Sequence, residues 1–368
     1  MNHEPKRILQ VVTYMGRGGI ETMLMNYYRQ MDREKIQFDF LVHRDFKADF
    51  DDEIETLGGR IYRVPPMNPL KMSYWKALDD FFRSHPYEIV HCHLNYKSGV
   101  VLAAAKRAGI PVRVAHAHTA GMSAGFSKLA RICMKPLIPR TATHNLACGR
   151  SAGDAIFGGR PYSLIANALD ASALRFDPSV REQVRRELQL GDRYTLIHVG
   201  RFGGEKNHAF LLDAFAEVLK RDPDAVLVLV GDGELRLELE RRAASLPDGA
   251  VRFLGVRKDV ARLLQAGDVF AFPSIFEGLP VTMIEAQAAS LPCVMSANVT
   301  DECIVTDLVN RLPIDDPRVW AAAILAARGT PRTDRLADIQ RSGYDIIAAA
   351  EKLQRFYLNG ESLCRSLC

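Results

Sequence analysis

The segment Phe272-Pro273-Ser274-Ile275-Phe276-Glu277-Gly278-Leu279-Pro280-Val281-Thr282-Met283-Ile284-Glu285 combines the residue types of an anion site with two carboxylates. A β-rich run ends at Phe272. Gly278 permits a close backbone approach, and Pro280 fits the first turn of a helix, where a missing N–H costs nothing. The amides of Gly278, Leu279 and Val281 then lie at a helix N-terminus, an arrangement that favours phosphate. Glu277 precedes that helix and Glu285 lies inside it. At ~1.5 Å rise per residue the two carboxylates stand roughly 10–12 Å apart along the axis. That spacing suits a ligand with hydroxyls at both ends of a diphosphate. Each glutamate also has an ordinary reading, one favoured by the helix dipole and the other on a surface.

A second cluster, Gly200-Arg201-Phe202-Gly203-Gly204-Glu205-Lys206-Asn207, also follows a β-rich run and precedes a helical one. Arg201 as a planar fork and Lys206 as a point charge could hold a diphosphate without a metal; a solvated basic loop would look the same. Gly16-Arg17-Gly18-Gly19 forms a third turn. It is neither G-x-G-x-x-G nor a P-loop, so a plain tight turn competes with phosphate cradling there. His116 and His118 share one face of a strand end, and His91-Cys92-His93 repeats the pattern. Such histidines can donate to a substrate hydroxyl or phosphate, or be satisfied structurally. Without a nearby carboxylate, the expectation is that no metal binds.

These clusters need elements to position them. Strands are read at Arg7–Thr13, Phe38–Val42, Arg60–Val64, Glu88–His91, Val112–His116 and His144–Ala147, with helical patterns such as Tyr74–Arg83 and Gly99–Ala108 between them. A second alternation has strands at Thr195–Val199, Ala225–Val230, Val251–Leu254, Val269–Phe272 and Cys293–Met295. Helices are expected at Val180–Leu190, Lys206–Arg221 and Glu234–Ser245, and Asn167–Ser179 reads as a loop. The pattern is α/β, with parallel sheets covered on both faces. Two doubly wound units facing each other would leave a cleft at their strand ends. The expected divisions are residues 1–168, 169–342 and a C-terminal helical segment 343–368.

The 368 residues suit this plan, and 48% apolar with 25% charged is ordinary globular composition. No run of about 18 uncharged apolar residues exists. Met1–Arg7 lacks the order of a signal peptide, so export is not expected. Seven cysteines without a CxxC pair read as reduced thiols in a cytosolic protein. The net charge of +4 hides an asymmetry: residues 1–168 carry 23 Lys+Arg against 15 Asp+Glu. Residues 89–153 contain no acid but nine Lys/Arg and five His. An acidic partner would suit that face: anionic lipid, phosphorylated substrate or nucleic acid. The last is disfavoured, because no aromatic-plus-basic stacking platform accompanies the charge. Within Ser127–Arg140, Lys128, Arg131, Lys135 and Arg140 alternate with apolar residues. That pattern could rest on an anionic membrane or simply pack on its own domain.

Taken in order, these residues resemble glycosyltransferase family 4, retaining nucleotide-sugar transferases with two facing Rossmann-like domains (the GT-B type). The resemblance runs along nearly the whole chain. It includes the Gly18-Gly19 turn, Ala117-His118-Thr119-Ala120, Gly200-Arg201 with Lys206-Asn207, Gly231-Asp232-Gly233, Phe253-Leu254-Gly255 and the Glu277/Glu285 pair within Phe-Glu-Gly-Leu-Pro. Residues 18–29 and 285–294 are similar to the capsular and exopolysaccharide branch. Ser290 stands where a Gly often precedes Leu-Pro, and Ser296–Thr306 lacks a frequent Gly-Gly-x-x-Glu.

The resemblance implies a role for each matching position. Arg201, Lys206 and the Gly19 amide would hold the donor diphosphate. Glu285 would bind the ribose, Glu277 the donor-sugar hydroxyls, and the amides of Gly278, Leu279 and Val281 the sugar or phosphate. His118 would contact the donor sugar and phosphate, Val256 and Arg257 would border the base, and the C-terminal helix would cross back onto the first domain. It further implies transfer with retention and no metal or other cofactor. The donor would be a nucleotide-sugar, with UDP expected, and the acceptor a lipid-linked saccharide at the inner face of a bacterial membrane. An epimerase of the same architecture and a non-catalytic nucleotide-sugar-binding subunit are the alternatives.

Overall fold

The computed structural model describes residues 4–119, 132–360 and 363, which form two compact units. The first comprises residues 1–169 with 343–368, and the second 170–342. Lys128 and Arg131, with Ala120, lie outside the described residues.

In the first unit β1 (Lys6–Val12), β2 (Ile36–Val42), β3 (Ile61–Arg63), β4 (Ile89–Cys92), β5 (Val112–Ala117), β6 (His144–Ala147) and β7 (Ser163–Leu164) form one sheet in the order 3-2-1-4-5-6-7. Every ladder in it is parallel. A parallel sheet covered on both faces demands apolar residues at successive positions, not at alternate ones. β1 meets that demand with Ile8, Leu9, Val11 and Val12, all buried. Gln10, equally buried, is the polar exception at its centre.

The helix Gly19–Gln30 buries Met23, Leu24, Tyr27 and Tyr28 against one sheet face. The C-terminal helix Ile346–Asn359 joins that same core through Ile346, Ala350, Leu353, Phe356 and Tyr357. Its spacing of apolar residues is helical. Asp345 caps its first turn, Gly360 ends it at φ 66°, and Gln354 Oε1 accepts the Asp32 amide at 2.9 Å.

The second unit has β8 (Thr195–Val199), β9 (Val226–Val230), β10 (Val251–Phe253), β11 (Val269–Phe272), β12 (Cys293–Ser296) and β13 (Val309–Leu312), all parallel, in the order 10-9-8-11-12-13. In both sheets the order reverses beside the first strand, as in doubly wound folds.

Some elements differ from expectation. Helix His208–Leu219 begins two residues after Lys206, which sits in a 3₁₀ turn, Gly204–Lys206. Asn207 at φ 56° separates turn from helix, so Lys206 belongs to the loop. Pro280 is the N-cap of helix Val281–Ala288 and not part of its first turn. The expected loop 167–179 contains a short helix, Ala171–Leu174, capped by Asp170. Strands β7 and β13 are absent from the sequence reading because β7 has two residues and β13, Val-Asn-Arg-Leu, has two exposed polar residues in its middle. Ser290 has φ 61°, the left-handed conformation that favours Gly, and its Oγ donates to the Thr333 carbonyl at 2.6 Å.

The loop after β8 is held by backbone contact with the loop after β9. The Phe202 amide donates to the Asp232 carbonyl at 2.9 Å, and the Leu235 amide to the Phe202 carbonyl at 3.1 Å. A Cβ on Gly231, at φ 135°, would stand 2.0 Å from the Gly200 carbonyl oxygen. Gly231→Ala is therefore expected to destabilise the second unit by about 2–4 kcal/mol. Gly249→Ala, at φ 71° with open space around its Cβ, should cost only about 1 kcal/mol. Urea denaturation of the two variants checks the difference.

Candidate active site

In the second unit the sheet's carboxyl edge brings Lys206 and Glu277 together. Lys206 Nζ lies 2.6 Å from Glu277 Oε1, and both side chains are about 15% exposed, at 14% and 15%. The ammonium also stands over the Phe272 ring, 4.9 Å from its centroid. Two backbone ties fix this geometry: the Ile275 amide donates to the Glu205 carbonyl at 2.8 Å, and Asn207 Nδ2 to the Pro273 carbonyl at 3.3 Å. Sequence reasoning treated Lys206 and Glu277 separately; the loops after β8 and β11 are neighbours because β8 pairs with β11.

Beyond Glu277 the amides of Gly278, Leu279, Val281 and Thr282 have no hydrogen-bond partner among the described residues. They offer donors for an anion at the start of the helix. Four positions into that helix, Glu285 is half-buried, and its carboxyl has no partner among the described residues. Burial alone pushes it up to about 7. An unpaired carboxyl with so displaced an ionisation makes Glu285 a candidate functional residue.

Arg201 is 61% exposed and faces carboxylates, with Glu205 Oε1 at 2.9 Å and Glu234 Oε2 at 3.5 Å. Arg257 is held by both oxygens of Asp259, at 2.8 and 2.7 Å, beside Val256, which is 67% exposed. Gln287, unnoticed in the sequence, is wholly buried and staples the segment after β12. Its Nε2 donates to the Cys303 carbonyl at 2.7 Å, and its Oε1 accepts the Val305 and Thr306 amides at 2.9 and 3.0 Å. Two residues after Glu285, it lies on another face of the helix, and nothing in the sequence signalled it.

In the first unit Gly18 is the N-cap of helix Gly19–Gln30. A Cβ on Gly19 would meet nothing within 4 Å, so the backbone there is open to a ligand. His118 follows β5; Asn95 Oδ1 accepts its amide at 2.7 Å. Its ring packs among His116 and His93, with centroids 4.1 and 5.1 Å away. Burial holds the His118 imidazole down to about 3 and those of His91, His93 and His116 well below their ordinary value, so all four are neutral. Nitrogens of His91, His93 and His116 lie within 4.8 Å of one another, near enough to surround an ion. Both nitrogens of His91 and of His93 are already hydrogen-bonded, however. Of the basic strip, Lys135 donates to the Ala155 carbonyl at 2.7 Å and is half-buried, while Arg140 is exposed.

Two family models match the chain: "Glycosyl transferase 4-like domain" over residues 18–161 and "Glycosyl transferases group 1" over residues 193–328. EpsF of Bacillus subtilis (strain 168), a protein assigned to the glycosyltransferases, is 37% identical over 366 residues, covering 94% of each chain. The chain belongs to glycosyltransferase family 4. This glycosyltransferase is also 27% identical over 330 residues, 83% of each chain, to the UDP-Gal:alpha-D-GlcNAc-diphosphoundecaprenol alpha-1,3-galactosyltransferase of Escherichia coli. The crystal structure of Anabaena Alr3699/HepE in complex with UDP and glucose matches the fold with a TM-score of 0.78. That match has 20% identity and covers 96% of this chain and 99% of that one. The glycosyltransferase thus has the two-domain GT-B fold of capsule and exopolysaccharide enzymes. No helix among its described residues is long and apolar enough to cross a membrane.

The burial of Glu285 makes a prediction about stability. Its folded value of about 7 lies above the ordinary 4.5. Between those values the folded chain binds more protons than the unfolded one, so stability falls as pH rises from 4.5 through 7. Glu285→Gln is expected to be more stable than the parent by about 1–3 kcal/mol at pH 8 and indistinguishable from it at pH 4. Thermal unfolding across that range checks the sign.

Proposed function

We propose that this glycosyltransferase moves a hexosyl group from a UDP-sugar to a lipid-linked saccharide, with retention of anomeric configuration and without a metal. The observation that carries the site assignment is the row of unpartnered amides at Gly278, Leu279, Val281 and Thr282 beside the Lys206–Glu277 pair. An ammonium has three donors, so Lys206 can hold a carboxylate and a phosphate oxygen together. Glu277 then accepts from donor-sugar hydroxyls while Lys206 and the amides meet the diphosphate. Arg201 reaches the same diphosphate by leaving Glu234, the more distant of its two partners. Glu285 accepts the ribose hydroxyls, Val256 and Arg257 border the base, and the Gly19 amide, freed by the Gly18 turn, meets phosphate. His118 meets the donor sugar.

In the reaction the bond from the anomeric carbon to the diphosphate oxygen breaks. The acceptor oxygen bonds to the same face of that carbon, and its proton passes to the departing phosphate. Charge grows on the leaving diphosphate as its bond breaks, so Arg201, Lys206 and the amides stabilise the transition state more than the bound donor. These fixed positive groups supply the neutralisation that a divalent ion would otherwise give. The UDP and glucose bound by HepE support a uridine donor, and the name of the E. coli relative supports an undecaprenyl-diphosphate-linked acceptor.

Purified protein should consume one UDP-sugar when given a lipid-diphosphate-linked saccharide, equally well in EDTA. NMR of the product should show the donor's anomeric configuration retained. Lys206→Ala and Glu285→Ala should each lose about 10²-fold in kcat/KM. A product of inverted configuration, or activity abolished by EDTA, would overturn the corresponding part.

We further propose that the first unit approaches the acceptor from the inner face of the membrane through its acid-free segment 89–153, where Lys106 donates to the carbonyl of the exposed Arg140. Replacing Arg140 and Lys106 together by Ser should weaken sedimentation with vesicles of anionic phospholipid by about thirtyfold, at about 1 kcal/mol per cation. Unchanged sedimentation would remove the membrane contact from the proposal.

A further inference from the structure

Gln10 is a fully buried polar residue in an otherwise apolar stretch of β1. It pairs in register with His91 of β4. His93, His116 and His118 complete a cluster of imidazoles at the carboxyl ends of β4 and β5, and Tyr357 of the C-terminal helix reaches the same cluster. Tyr357 Oη lies 2.5 Å from His91 Nδ1 and 3.3 Å from Gln10 Nε2. Gln10 Oε1 lies 2.9 Å from His93 Nε2. His93 Nδ1 lies 2.9 Å from His118 Nε2, and His91 Nε2 lies 3.0 Å from His116 Nδ1.

With the Gln10 amide nitrogen toward Tyr357 and its oxygen toward His93, proton accounting along this chain leaves one arrangement for His93 and His118. The Gln10 amide nitrogen can only donate, so Tyr357 Oη accepts from it and gives its own proton to His91 Nδ1. The Gln10 carbonyl can only accept, so His93 carries its proton on Nε2. A neutral imidazole has one ring proton, which leaves His93 Nδ1 bare to accept from His118 Nε2–H. His118 Nδ1 is then also bare. Among the described residues it has no hydrogen-bond partner, and neither has His116 Nε2, the end of the other arm.

We propose that Gln10, acting through His93 and anchored by Tyr357, fixes His118 as its Nε2–H tautomer, so that Nδ1 accepts a hydrogen bond from a sugar hydroxyl. A bare nitrogen cannot donate to a phosphate oxygen, so in this tautomer His118 Nδ1 meets a hydroxyl and not the phosphate. Gln10 and Tyr357 are positioning residues that never touch the ligand. That the hydroxyl belongs to a sugar rests on the glycosyl-transfer reading; the tautomer does not.

Histidine-selective ¹⁵N labelling of the full ligand-free chain reads the tautomer directly. The His118 signals are assigned by their loss in His118→Asn. The expected result is a protonated Nε2 and a bare Nδ1 in the parent, and a mixture of both tautomers in Gln10→Met. That variant should lose about tenfold in kcat, the scale of one hydrogen bond, with KM for the donor within about twofold. If Gln10→Met does not fold, Tyr357→Phe frees the Gln10 amide to turn and should give the same mixture. A protonated Nδ1 in the parent, or an unchanged tautomer in the variant that folds, would overturn the assignment. The spectrum needs no donor or acceptor, so a failed transferase reading appears only in the turnover assay and a failed tautomer assignment only in the spectrum.

Discussion

A strand can pair parallel to its neighbour only if the chain returns across the sheet before the next strand begins. Every ladder in both sheets is parallel, so the segments leaving each strand gather at one edge of their sheet. In the first unit that edge receives the Gly16–Gly19 turn after β1, His93 after β4 and His118 after β5. In the second it receives the Arg201 and Gly231 loops, Arg257 and Glu277. The helices on both faces exist to close these crossovers, and their apolar stripes supply the cores. Residues far apart in sequence, such as Lys206 and Glu277, become partners as a consequence of strand order.

The polar groups at these edges are arranged at a cost. His118 Nδ1 and His116 Nε2 are buried with no partner among the described residues, and an unsatisfied buried polar group typically costs about 1–3 kcal/mol. Glu285, half-buried, likewise has no partner among them. Lys206 and Arg201 are neutralised by glutamates. In the second unit, a ligand carrying hydroxyls and phosphates would satisfy the open groups and redistribute the paired ones. Stability is thus lower at the carboxyl edges than packing alone would give, and binding energy is available there.

Much of this could be read from residue order. The strands Thr195–Val199 and Val269–Phe272 coincide with the sequence reading, because buried parallel strands are short, largely apolar runs bounded by Gly or polar residues. Strand β7 left no periodic signal. The start of helix His208–Leu219 was misplaced because Lys206 suits a helix as well as a turn, and only Asn207 at φ 56° separates the two. Nothing in the sequence singles out Gln10 or Gln287. The fold brings Tyr357, hundreds of residues later, beside the first, and the backbone after β12 onto the second.

The sequence by itself determined the alternation of strands and helices, the glycine positions where backbones meet, and the residue types at the strand ends. Those are local properties: periodicity, backbone freedom and side-chain chemistry act over a few neighbouring residues. Only the tertiary structure decided which of those groups meet and in what state. The Lys206–Glu277 pair, the raised ionisation of Glu285 and the proton positions along Gln10, His93 and His118 depend on contacts between distant segments. Pairing and burial are properties of the three-dimensional environment, and the spacing of residues along a chain does not contain them.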